Sequence, residues 1–110
     1  MITELERAFV AALRDPQYRQ IRHRWEDEQG GFCVVGLLAH LWRQRHPKEE
    51  TRYARGRAMR EMGWACLGFE IQEHDRWPLD MVTLNDKGDL TFPQFADLIE
   101  AGLVPRKDWI

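Results

Sequence analysis

Between Phe32 and Arg45 the chain is apolar nearly all the way round a helical wheel: Phe32, Val34, Val35, Leu37, Leu38, Leu41 and Trp42 leave only a narrow strip of Gly36, His40 and Arg43. A helix with so little polar surface belongs in the middle of a core, with the other elements packed around it. Gly36 would cost this helix up to about 1 kcal/mol relative to alanine, so its presence predicts that another backbone crosses closely at that point. Pro47 closes the element.

The flanking segments supply the partners. Thr3 and Glu6 are spaced as a capping box, and Leu5, Ala8, Phe9, Ala12 and Leu13 recur on one face of a first helix that Pro16 ends. Tyr18 to Gln29 is polar and reads as a connector. Thr51 is placed to cap a third helix running to Met62, with Ala54, Ala58, Met59 and Met62 inward and Gly63 as its stop. Arg55 points toward that apolar arc, so either the helix is distorted near Gly56 or this guanidinium pairs with a carboxylate, the acidic second half being the expected source. Trp64 to Ile71, broken by Gly68, reads as an extended segment or a buried turn. Pro78 can open a short fourth helix through Leu84, followed by a turn at Asn85-Asp86-Lys87-Gly88. Thr91 and Gln94 form a second capping box before a last helix that Gly102 ends.

With 110 residues, 44% hydrophobic and 31% charged, the chain can bury on the order of 65% of its unfolded surface around one core and is unlike a disordered polymer. The longest apolar run, Phe32 to Ala39, falls well short of the roughly 20 residues of a membrane span. The N-terminal segment carries Glu4 and Glu6 where a secretion signal has basic residues, so the expected location is the cytoplasm, where Cys33 and Cys66 would stay reduced. Residues 7–60 hold twelve basic and six acidic side chains, and residues 61–110 hold four basic and ten acidic. Such halves either neutralise each other on folding or leave a basic face for an anionic partner.

Apparent active sites fail on spacing. With Gly88 at the sixth position of a calcium loop, Thr83, Lys87 and Gln94 fall where carboxylates are required. Cys33 opens a helix, where a thiol can be nucleophilic, but His40 lies seven residues on, about 10 Å along the axis, and His23 or His74 could approach only through tertiary folding. The cysteines and histidines show no zinc spacing, and no phosphate loop or nucleophile elbow occurs. A helix-turn-helix at Ala96 to Gly102 is too widely spaced and leaves little chain for a recognition helix. Neither metal, cofactor nor catalysis is expected.

Three blocks in order resemble a group of small bacteriophage and prophage proteins of unassigned activity. They are Phe9-Val10-Ala11-Ala12-Leu13-Arg14 with Tyr18, Phe32-Cys33-Val34-Val35-Gly36-Leu37-Leu38, and Leu84-Asn85-Asp86-Lys87-Gly88 with Thr91-Phe92-Pro93-Gln94-Phe95-Ala96-Asp97-Leu98-Ile99-Glu100. In those relatives the middle block looks like Phe-Cys-Cys-Leu-Gly-Val-Leu-Cys; here Val34 and Ala39 replace two of the cysteines, which points to a core role for Cys33. The resemblance implies a phage accessory protein in a bacterial host cell that binds a host protein, with inhibition of a host defence or nucleic-acid machine, in the manner of an anti-CRISPR, as its sharpest form.

The sequence thus predicts one domain over residues 1–110, all-α or nearly so, with about five helices. Phe9, Leu13, Val35, Leu38, Leu41, Met59, Phe92, Phe95 and Ile99 are expected in its core. The expected partner surface is Arg52, Arg57 and Arg60 with Arg43 and Arg45, since arginine is enriched at binding hot spots. Nucleic-acid binding through the same Arg-rich helix is the alternative, and the acids Asp75, Asp80, Asp86 and Asp89 are the next candidate face.

Overall fold

A computed structural model describes residues 2–70, 79–88 and 90–107. Helix α1 spans Glu4–Leu13, α2 Val34–Arg45, α3 Ala54–Met62, α4 Met81–Asp86 and α5 Phe92–Glu100. Two very small pairings accompany them. Strand β1 (Arg19–Gln20) runs parallel to β2 (Gly31–Phe32), and β3 (Gly68–Phe69) runs antiparallel to β4 (Leu79–Asp80). The fold is therefore mostly helical but not purely all-α.

Helix α2 is central, as its composition requires. Val34, Val35, Leu37 and Leu38 are fully buried, and α2 packs against α1, α3 and α4. One cluster of buried side chains draws on all five helices, and Leu5, Phe9, Leu13, Phe95 and Ile99 join α1 to α5 within it. Of the predicted core only Met59 is half-buried.

Local signals set several boundaries. Thr91 Oγ1 accepts from Gln94 N while the Gln94 side chain accepts from Thr91 N, which completes the second capping box. Gly63 and Gly102 adopt left-handed φ values of 74° and 75° past the ends of α3 and α5, the conformation that favours glycine there. At Gly36 an added Cβ would overlap the Trp25 carbonyl oxygen. The predicted close backbone crossing is thus the 21–27 segment, whose Trp25 carbonyl accepts from Cys33 N at 3.2 Å.

Other expectations are corrected. Thr3 accepts from Glu6 N at 3.2 Å, but the Glu6 side chain does not return to the cap: it turns inward, fully buried, to Trp64 and Arg106. Thr51 does not cap α3; it starts a 3-10 turn, Thr51–Tyr53, and α3 begins at Ala54 without a side-chain cap. Phe32 lies in β2, ahead of α2, whose N-cap is Cys33. Helix α4 starts later and runs further than expected, so Asn85 and Asp86 are helical; Pro78 lies outside the described residues. The 18–29 connector is also more than a link, because β1 and the Glu26–Phe32 bridge bind it to the start of α2. Trp64 to Glu70 resolves into an isolated bridge to Arg106 and strand β3; Ile71 lies outside the described residues.

Candidate functional site

The polar strip of α2 does not face bulk solvent alone. Gly36, Ala39, His40 and Arg43 form one wall of a cleft of about 280 Å³, closed by Thr51 and Arg52 of the 3-10 turn, by Arg55 in the first turn of α3, and by Trp25 and Glu26 from the connector. Gly36 allows Trp25 to lie directly on α2, and the Trp25 ring, 46% exposed, becomes the edge of the cleft. The Arg55 guanidinium stacks over that ring at 4.1 Å from its centroid. Arg55 is half-buried, and among the described residues its partner is this aromatic face rather than the carboxylate expected from the acidic half. Such a stack desolvates one guanidinium face and leaves its N–H edge free to donate. His40 is held by ring packing on Phe32 at 4.7 Å and by Gln44 at 3.2 Å.

A second, open groove of about 750 Å³ adjoins the first and shares Arg52; Trp42, His46, Tyr53, Arg57, Arg60 and Lys107 are among its lining residues. Tyr53 is 45% exposed, and Arg52 and Arg57 lie over its ring at 4.8 and 5.6 Å. Arg52 also pairs with Glu50 at 2.7 Å and Arg57 with Glu49 at 3.5 Å, both in exposed positions where a pair contributes little. The structure thus brings Arg43, Arg52, Arg57 and Arg60 onto one surface. Arg45 is not part of either depression: it reaches Glu4 of α1 at 3.8 Å. Trp25, Tyr53 and Arg55 are the members that sequence reasoning missed. The roles of Trp25 and Arg55 depend on which backbone crosses at Gly36, for which that glycine and the inward-facing Arg55 were the local signals, while Tyr53 is placed by the Thr51–Tyr53 turn.

The charge halves do meet. Arg14 binds both Asp97 and Glu100, and His23 Nδ1 lies 3.9 Å from Asp86; separately, Arg106 of the acidic half binds Glu6 of the first helix. Of the acidic candidates, Asp80 caps α4 by accepting from Val82 N, and Asp86 accepts from His23 N and Asn85; Asp75 and Asp89 lie outside the described residues. The described acids are thus occupied in holding the backbone.

Cys33 is not arranged as a nucleophile. It is 2% exposed, and its Sγ accepts from Gly36 N at 3.2 Å. Burial pushes its thiol pKa up, outweighing the helix N–H groups that favour the thiolate. His23 and Asp86 share a small cavity with it, but His23 is turned to Asp86.

The family described as "Domain of unknown function (DUF8296)" matches residues 1–69, a span containing α1 to α3 and every residue of the smaller cleft. No curated protein and no solved structure matches the chain.

Proposed function

Because the chain belongs to this family, whose description assigns no activity, we propose a function from the chemistry of the α2–α3 face: the protein is an interaction module that binds an acidic surface of another protein and performs no catalysis of its own. The observation that carries this reading is the pairing of exposed aromatic rings with guanidiniums, Trp25 with Arg55 and Tyr53 with Arg52 and Arg57. Preorganised arginine and aromatic side chains supply contact area and bidentate donors at low entropic cost. The resemblance to phage proteins supports, on this reading, a host protein in the bacterial cytoplasm as the partner, with inhibition of a host defence or nucleic-acid machine as the sharpest form of the role.

A nucleic acid would meet the same face differently. Exposed rings beside arginines are the elements of a single-strand stacking platform, but Glu26, Glu49, Glu50 and Glu61 are interleaved with the cations here, and carboxylates repel a phosphate backbone. Mixed charge matches a protein surface better.

The test is capture from a bacterial host lysate by the wild type and by the Arg52→Glu, Arg57→Glu, Arg60→Glu triple variant. All three side chains are exposed, so the variant should keep its melting temperature and lose the partner. Undiminished capture would sink the reading. A mobility shift with single-stranded DNA, steeply weakened by salt as counterions are released, would instead select the nucleic-acid alternative.

A further inference from the structure

We infer that the cleft between α2 and α3 is the anchoring pocket for the partner's acidic segment, taking an apolar side chain on its floor and an adjacent carboxylate on Arg43 and Arg55. The inference rests on the protein-binding reading above and names what that surface recognises.

Size comes first. At about 280 Å³ the cleft is just below the roughly 300 Å³ at which small-molecule and cofactor sites begin, and it suits one or two side chains. Its chemistry is divided. Gly36, Ala39 and the Trp25 ring make an apolar floor and edge, whereas Arg43, Arg52 and Arg55 stand around the rim. Arg52 is already held by Glu50. Arg43 and Arg55 have no carboxylate within ion-pair distance among the described residues, and Arg55 is half-buried and held flat against Trp25.

A guanidinium with one face stacked and its edge unpaired is preorganised for a planar two-oxygen acceptor. A ligand that uses both parts of the cleft must carry an apolar group next to an anion, as an acidic residue beside a leucine does. Glu26 on the rim disfavours a doubly charged phosphate over a singly charged carboxylate.

The experiment follows the tryptophan indole N–H resonances of the intact protein. The Trp25 signal is assigned with Trp25→Phe, since the chain has five tryptophans. The probes are a terminally blocked peptide containing Asp-Leu-Asp, its Asn-Leu-Asn counterpart, inorganic phosphate and a single-stranded oligonucleotide. The acidic peptide should shift the Trp25 indole saturably, the neutral peptide should not, and Arg43→Gln should weaken binding at least tenfold. Arg43 is exposed, so this variant keeps the fold even if Arg55→Lys, which removes the stack, does not. An unmoved Trp25 signal, equal binding of the neutral peptide, unchanged affinity in Arg43→Gln, or tighter binding of phosphate or oligonucleotide would each overturn the assignment. If the Arg52, Arg57, Arg60 variant loses its captured partner while Arg43→Gln retains it fully, the pocket assignment falls and the protein-binding reading stands.

Discussion

The indole N–H of Trp64 donates to the carboxylate of Glu6 at 2.6 Å, and both side chains are fully buried. Arg106 completes the arrangement, 2.8 Å from the same carboxylate, and also donates to the Met62 carbonyl. The trio ties the first helix, the end of α3 and the 103–107 segment together.

Removing one partner of a buried pair leaves the other charge uncompensated and costs about 3 kcal/mol or more. Arg106→Met should therefore destabilise by about 3 kcal/mol in urea unfolding. Adding Glu6→Gln should recover part of that loss, because the amide oxygen still accepts from Trp64 while the orphaned charge is gone. A double variant less stable than Arg106→Met alone would mean that the carboxylate matters for something other than this pair.

Asn85 is the second buried polar hub. Its Oδ1 accepts from Val34 N and the Gln20 side chain, and its Nδ2 donates to the Ile21 carbonyl, so α4 is stitched to β1 and to the start of α2. Asn85→Leu leaves several buried groups unsatisfied at about 1–3 kcal/mol each, only partly relieved by water. A loss of about 3 kcal/mol is expected by chemical denaturation, and a near-neutral result would refute the hub.

These two hubs show where sequence reading stops. The capping box at Thr91 and the stops at Gly63 and Gly102 were legible because each is decided by neighbours in the chain, and the crossing at Gly36 because a glycine inside a helix marks a close approach without naming the backbone that makes it. Glu6 also looked like a capping residue, and by local spacing it is one. Its actual partners are 58 and 100 residues away, and a buried indole and guanidinium outcompete one exposed backbone N–H. Arg55 was legible as a misplaced charge facing inward, but not its partner, because an aromatic face can cover a guanidinium without pairing its N–H edge. The arginines of the proposed binding face were visible by type. Their division into two depressions follows from tertiary placement of Trp25 and the Thr51–Tyr53 turn.

The cysteines should react in a fixed order. Cys33 is 2% exposed, whereas Cys66 is half-buried; burial raises the pKa of both thiols, so access decides between them. A maleimide added to the folded protein should label Cys66 slowly and leave Cys33 until the chain unfolds, as peptide mapping would show. Prompt labelling of Cys33 would reopen a nucleophilic role.

Acid should weaken the fold through two carboxyls. The backbone N–H of Gly31, then Arg19, hold the Asp27 pKa below its ordinary value. At Asp86 burial alone works the other way, but His23 N–H, the Asn85 side chain and nearby positive charge outweigh it, and the net shift is also downward. A carboxyl lowered in the folded state contributes stability that is fully present above its unfolded pKa and is lost as pH falls through the folded one. The melting temperature should thus hold from neutrality to about pH 4 and decline below it, with a shallower decline in Asp27→Asn and Asp86→Asn. An acid limb unchanged in both variants would assign the loss to other groups.

Two glycines in helices should respond to alanine in opposite directions. Gly56 in α3 is exposed, its φ is ordinary, and an added Cβ would meet nothing within 4 Å. Gly56→Ala should therefore stabilise by about 0.5–1 kcal/mol by restricting the unfolded chain. Gly36 in α2 has the same helical advantage to gain, but its Cβ would overlap the Trp25 carbonyl oxygen. That oxygen is backbone, and it is fixed by its hydrogen bond from Cys33 N. Relief requires the 21–27 segment to lift from α2, which breaks that bond and displaces Trp25 from Arg55. Gly36→Ala should accordingly cost about 1–3 kcal/mol, the range for overpacking, and it should shift the Trp25 indole resonance even at temperatures where the protein stays folded. The pair separates packing from propensity, because both substitutions carry the same intrinsic helix gain. If Gly36→Ala is as stabilising as Gly56→Ala, Trp25 does not rest on α2, and the smaller cleft loses the wall on which the proposed recognition depends.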